Sequence, residues 1–279
     1  VNQTLPDGSA EAVRAQQLEE WAEVARSWCG FDPENRPITD RLVQRADIRP
    51  GDTVVDLACG TGMPALIEAE MVGPTGHVLG LDLVPGMVEE ARRQAASRSL
   101  SNVEFRVISD EGRLDLSEAF YDAATCKHGL MWMPNPPGAM AELCKALRPG
   151  GRVAVSSWAP PERHPLMSIV SELQLRLLGY RPMQPSTPVT FDSEGSLRSL
   201  LLEAGYLNVD SETMTIPVTL AASAEEFVEA ELAEDTRAIS AETAEQLRRE
   251  AIEHVRAVNG DGSLVLDLAV LLSWGVNPG

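Results

Sequence analysis

The sequence predicts an α/β protein, an open and mostly parallel sheet with helices on both faces. Two observations carry this. Between positions 49 and 158, β-branched apolar runs alternate with helical runs at the spacing of βαβ units. Glycine- and proline-bearing breaks, Arg49-Pro50-Gly51-Asp52, Gly73-Pro74-Thr75-Gly76 and Arg148-Pro149-Gly150-Gly151, stand directly before three of those runs.

Residues 9–28 pattern as an amphipathic helix with Val13, Leu18, Trp21, Ala22, Val24, Ala25 and Trp28 on its apolar face, and Ile38 to Ala46 as a second, short one. Thr53 to Ala58 reads as the first strand, with a helix from Gly60 to Val72. His77 to Asp82 is the second strand, followed by a helix over Pro85 to Ala96. Val103 to Ile108 and Tyr121 to Cys126 are strands three and four. A helix from Pro136 to Leu147 precedes strand five, Arg152 to Trp158. Beyond Trp158 the alternation breaks. Helices are expected over Pro165 to Leu178 and Ser193 to Ala204, a long strand over Tyr206 to Leu220, helices within 222–262, and a last strand from Ser263 to Leu272.

Composition removes several classes of function. The 279 residues carry 42 acids against 23 Lys and Arg, a formal charge of −19, and no basic cluster suited to neutralising phosphates, which argues against nucleic acid. A hydrophobic fraction of 44% suffices for a buried core. The start, Val1 to Pro6, has neither a basic nor an apolar stretch. The longest apolar run, Leu264 to Trp274, is broken by Asp267 and falls short of the ~20 residues of a membrane span. Cys29, Cys59, Cys126 and Cys144 are scattered without a C-x-x-C pair, so the expectation is reduced thiols in the cytoplasm and no metal.

Chemistry concentrates in Asp56-Leu57-Ala58-Cys59-Gly60-Thr61-Gly62-Met63. Its glycines sit where a strand yields to a helix and let a ligand approach backbone, and Asp82, ending the next strand, can accept from a ribose diol. Gly60-x-Gly62-x-x-Ala65 also satisfies a relaxed dinucleotide fingerprint, but Asp56 beneath the loop would repel a pyrophosphate and complement a sulfonium and an ammonium. Asn135-Pro136-Pro137-Gly138 imitates an N-P-P-aromatic base-binding motif. It lies too far past strand four and lacks the aromatic, so Asn135 reads as a helix cap.

Over Arg49 to Trp158 the chain resembles the class I S-adenosylmethionine (AdoMet)-dependent methyltransferases, especially the branch of ubiquinone and menaquinone biosynthesis. The resemblance rests on the loop above, Gly80-Leu81-Asp82 with Met87, Asp110-Glu111, Tyr121-Asp122 and Leu147-Arg148-Pro149-Gly150-Gly151. It implies a Rossmann-like, doubly wound sheet of seven strands, the last antiparallel. It places Asp56, Ala58, Cys59, Gly60 and Gly62 around the methionine part of AdoMet, and Asp82 on the ribose. Leu83, Met87, Asp110 and Glu111 fall around the adenine, and Lys127 and His128 beside the methyl group. Ala58 departs from the family's usual glycine.

His128 is the expected general base, with His164 a second candidate. Trp21, Trp28, Met131, Trp132 and Trp158 are expected to form an apolar acceptor pocket. The resulting expectation is O- or C-methylation of a small, apolar or aromatic metabolite. A non-methylating reaction such as a cyclisation on bound AdoMet, or a dinucleotide-dependent oxidoreductase, stands as the alternative. Residues 1–48 would be a helical cover and 49–279 the catalytic domain, with insertions at 159–190 and 222–262. The second insertion, with 11 acids against four arginines, would be a solvated cap or homodimer lobe.

Overall fold

The computed structural model describes residues 9–27, 35–159, 172, 176, 191, 193–232 and 239–279. Seven strands, β1 (Thr53–Leu57), β2 (His77–Asp82), β3 (Val103–Val107), β4 (Tyr121–Lys127), β5 (Leu147–Trp158), β6 (Leu207–Ala221) and β7 (Leu264–Val276), form one sheet in the order β3-β2-β1-β4-β5-β7-β6. The pairs β1–β2, β2–β3, β1–β4 and β4–β5 are parallel, and β5–β7 is antiparallel. The expected mostly parallel, seven-stranded sheet is the one found.

Eight helices are described: α1 (Ala10–Ser27), α2 (Arg36–Arg45), α3 (Ala65–Val72), α4 (Pro85–Ser97), α5 (Pro136–Ala146), α6 (Glu194–Glu203), α7 (Ala224–Leu232) and α8 (Ala241–Asn259). The helix expected over Pro165 to Leu178 lies almost wholly outside the described residues.

The chain divides into two compact units. The first comprises Val1–Trp158, Thr187–Met214 and Val270–Gly279, and the second Ala159–Ser186 and Thr215–Ala269. No polar linker separates them in sequence because β6 and β7 run through the boundary. The first unit's core joins Leu42, Val43, Val54, Leu66, Val78, Val88, Phe105 and Ala154, and its strand residues share one face of the sheet. The second has its own core, with Phe227, Val228 and Leu232 of α7 against Leu247, Ala251 and Val255 of α8.

Two boundaries and one helix face differ from expectation. The helix read from Gly60 begins at Ala65, because Gly60 and Gly62 take φ of 54° and 115°, outside the right-handed helical region. The turn at Arg148 to Gly151 is absorbed into β5 as an irregularity. Tyr121 pairs with Leu147 but Ala123 pairs with Arg152, with Gly150 at φ 77°. The apolar face read on α1 is only partly the side it buries: Trp21 lines the cavity of the site. Leu18 is 37% exposed, whereas Gln17 is only 3% exposed.

Strand order reverses between β1 and β4, whose crossovers lead to opposite sides of the sheet. Their carboxyl ends therefore leave a crevice, the usual ligand position in such sheets. Gly129, just past β4, sits so close to the residue after β1 that a Cβ there would lie 2.5 Å from the Ala58 Cβ.

Candidate active site

That crevice opens into a cavity of about 240 Å³. Its wall on the β1 and β2 side is Leu57 to Thr61 with Met63, Asp82 to Val84 and Met87. On the β4 side it is Lys127 to Gly129 with Trp132 to Pro134, and Trp158 contributes from the end of β5. Arg14, Gln17 and Trp21 of α1, with Asn35, Arg36 and Thr39 at the start of α2, complete it.

Carboxylates fasten the glycine loop. Asp82 Oδ2 accepts from the Gly60 N–H at 2.8 Å and Oδ1 from the Val84 N–H at 2.9 Å. Burial raises its pKa against the opposing pull of those backbone donors. Each oxygen retains a further lone pair at the cavity wall. Above Gly60 no atom lies within 4 Å of where a Cβ would be, so the loop presents open backbone. At Ala58 φ is 59°, a left-handed conformation that explains the family's usual glycine there.

Asp56 lies deeper than the resemblance implies. It is fully buried and is not part of the cavity wall. Its Oδ2 accepts from the Ala65 N–H at 3.1 Å, the first of α3, and the next three N–H groups of α3 bond to Gly62 and Pro64 carbonyls. The helix terminus that a dinucleotide pyrophosphate would require is therefore fully engaged.

Thr125 Oγ1 lies 3.2 Å from Asp56 Oδ1 and donates to Glu68 Oε1 at 2.7 Å, so two buried carboxyls share one hydroxyl. Burial pushes both pKa values up, and the charge of Glu68 pushes Asp56 further. Sequence reasoning missed Glu68. The available signal is its place with Ala65, Ala69 and Val72 on the stripe of α3 that packs inward.

The acids after β3 also differ from expectation. Glu111 lines the cavity, accepting from Arg14 Nε at 2.6 Å and from the Asn135 N–H at 2.9 Å. The Asp110 carboxylate lies outside the wall, 42% exposed and bonded to Arg14 Nη2 at 2.8 Å. Burial of Glu111 is thus compensated by charge-assisted bonds that tie α1 to the loop after β3. Trp21 packs edge-on against Trp132 at 5.1 Å, and its Nε1 donates to Gln17 Oε1 at 3.2 Å. Arg14, Gln17 and Trp21, at i, i+3 and i+7, form the inner side of α1. Asn135 caps α5, its Oδ1 accepting from the Gly138 N–H at 3.0 Å.

His128 lines the cavity with φ 55°, its ring stacked on Trp158 at 4.2 Å. Part of the residue faces the cavity, but both ring nitrogens are buried without a hydrogen-bond partner among the described residues. Burial, and next the charge of Lys127, push the pKa down to about 3. The residue expected to be the general base thus sits where gaining a proton is opposed. Lys127 Nζ donates to Thr39 Oγ1 at 3.2 Å.

Of the remaining expected residues, Ala58, Cys59, Gly60, Leu83, Met87, Trp132 and Trp158 line the cavity, and Gly62 does not. Gly62 instead packs against α3, where a Cβ would come within 2.9 Å of Leu66. Met131 lies behind the wall, its sulfur 3.3 Å from Ser157 Oγ. Trp28 and His164 lie outside the described residues. No group of three or more metal-ligating side chains occurs among the described residues, and no described helix is long and apolar enough to cross a membrane.

A glycine loop is pinned by the acid of the second strand at the reversal point of a 3-2-1-4-5-7-6 sheet. Residues 48–177 match the family model described as a methyltransferase domain. Over 140 residues the chain is 34% identical to an aklanonic acid methyltransferase of a Streptomyces species, covering 47% of this chain and 63% of that protein. Over 188 residues it is 27% identical to a ubiquinone/menaquinone biosynthesis C-methyltransferase of Francisella philomiragia, covering 63% and 74%. A putative methyltransferase of Bacillus halodurans shares the fold at TM-score 0.59 and 18% identity, over 86% of this chain and 99% of that one. Over residues 48–177 the chain thus resembles the class I AdoMet-dependent methyltransferases. It spans less than two thirds of the length of the curated relatives that it matches above 30% identity.

Proposed function

We propose that the protein transfers a methyl group from AdoMet to a small, largely apolar or aromatic metabolite. The observation that carries this reading is Asp82, which pins open loop backbone with one lone pair of each oxygen and keeps the others at the cavity wall. The residues present fit the donor. Asp82 suits a ribose diol; Leu83, Val84, Met87 and Ile108 offer an apolar slot for a purine; Ala58 to Thr61 leave room for the amino-acid tail. AdoMet supplies an activated methyl group on a sulfonium. The chain's part is to align the acceptor and exclude water, to which the covering Trp21 and Trp132 are suited.

An apolar acceptor is supported by the wall of Trp21, Trp132, Trp158, Met63 and Met133. The relatives' names, aklanonic acid methyltransferase and nocamycin O-methyltransferase, point the same way. Calorimetry with S-adenosylhomocysteine (AdoHcy), the demethylated product, tests the reading. Micromolar binding is expected, and its absence removes the proposal.

A further inference from the structure

We propose that Asp56 and Glu68, sharing a proton through the Thr125 hydroxyl, discriminate the sulfonium donor from its neutral product: AdoMet displaces that proton to solvent, and AdoHcy leaves it in place. This rests on the methyl-transfer reading above and adds how the same site tells donor from product.

Asp56 and Glu68 are fully buried, and Thr125 Oγ1 lies 3.2 Å from Asp56 Oδ1 and 2.7 Å from Glu68 Oε1. A hydroxyl carries a single hydrogen. Two ionised carboxylates would therefore leave one of these contacts as lone pair against lone pair in a dry setting, so a proton on one of the acids supplies the second hydrogen bond. Glu68 Oε2 is buried without a hydrogen-bond partner among the described residues, whereas a charged oxygen away from water needs one. Asp56 Oδ2, by contrast, accepts from the Ala65 N–H. Burial raises both acids, Glu68 to about 7, and the charge of Glu68 raises Asp56 further, so the pair exchanges its proton near neutrality.

The pair lies behind the cavity wall yet acts on it. Asp56 precedes the wall residue Ala58 by two positions, at most about 7 Å of chain. Next after burial and Asp82, the charge of Asp56 raises the Cys59 thiol on that wall, and Lys127, on its β4 side, pulls Asp56 towards ionisation. The other ionisable groups around the pair among the described residues are Cys126, its thiol kept protonated by burial, and Asp82, fastened by backbone N–H groups. A sulfonium brings this chamber a positive charge that AdoHcy lacks. A unit charge acting over roughly 10 Å at an effective dielectric constant of about 20 shifts an ionisation on the order of tenfold. AdoMet therefore favours the ionised pair, and its affinity rises with pH towards about 7 while that of AdoHcy does not. The proton returns from solvent once methyl transfer leaves a neutral thioether.

The test is calorimetry on the whole chain at pH 6.5, where the amino groups of both ligands are protonated, with AdoMet and AdoHcy each titrated in phosphate and in imidazole buffer. The difference in heat between the buffers counts the protons released. Failure of both ligands to bind removes the methyl-transfer reading and this assignment together. With both bound, AdoMet is expected to release at least about 0.3 proton more than AdoHcy, as a tenfold shift of a group titrating near 7 requires. Glu68→Gln removes the charge that holds a proton on Asp56, and should bring that excess below half the wild-type value. The assignment is overturned by a smaller wild-type excess, or by an excess that stays above half in Glu68→Gln. A purely structural role for the pair would move both affinities together and leave the two proton counts equal, which also overturns it. The wild-type comparison decides the matter even if Glu68→Gln does not fold.

Discussion

On the glycine-loop side of the cavity, side-chain carboxylates are tied to main chain: Asp82 to the Gly60 and Val84 N–H groups, Asp56 to that of Ala65. On the β4 side, the polar side chains rest on other side chains, Lys127 on the Thr39 hydroxyl and His128 on the Trp158 ring. The first arrangement fixes the path of the chain. The second consists of replaceable contacts on a fixed frame, which is how one fold accepts different substrates.

The largest expected effect attacks the main-chain side. Asp82→Ala removes both the proposed ribose acceptor and the fastening of Gly60, and AdoHcy affinity should fall at least tenfold by calorimetry, about 1.4 kcal/mol or more. An unchanged affinity would erase the contrast between the two sides.

Glu68→Gln addresses the buried acid pair beneath the loop. Glu68 has its pKa raised in the fold from an ordinary 4.5 to about 7. The folded protein therefore keeps a proton that the unfolded chain has released, and stability is lost as pH rises from about 4.5 through about 7. A neutral amide escapes that loss while still accepting from Thr125. Denaturant titration should show the variant more stable by about 1–2 kcal/mol at pH 8 and little changed near pH 5. A benefit independent of pH would refute the account.

Arg14→Ala leaves Glu111, whose side chain is 6% exposed, with a hydrogen bond from the Asn135 N–H. A loss of about 1 kcal/mol in stability is expected, with faster proteolysis within α1 as the sharper readout. The smallest effect is Ala58→Gly. It relieves a left-handed alanine but forfeits the Cβ that packs on Gly129, for a net gain of about 0.5 kcal/mol in thermal unfolding.

The same contrast governs what the sequence reveals. The sheet, the glycine loop and Asp82 are legible because each depends on local pattern: β-branched runs, turn residues, and glycines at a strand end. The start of α3 is misread because the pattern alone does not show that Gly60 and Gly62 adopt positive φ. Glu68 resembles a surface residue beside Glu70, yet it bonds a threonine 57 positions away. Arg14 and Gln17 look solvent-facing until Glu111, 97 residues later than Arg14, is brought to them. The helical period places these residues on an inward stripe but does not show which distant partner each meets, which tertiary packing sets. His128 was legible as a wall residue but not in its chemistry, which depends on burial.

Finally, the aromatic lining gives the protein an optical gauge. Three of its five tryptophans, Trp21, Trp132 and Trp158, border the cavity, and Trp274 lies elsewhere beneath the Arg45 guanidinium. A guest that displaces water from this chamber alters the surroundings of most of the indoles that emit. Intrinsic fluorescence therefore follows occupancy directly, without a label, and its spectral shift distinguishes an empty chamber from a filled one during any of the titrations above.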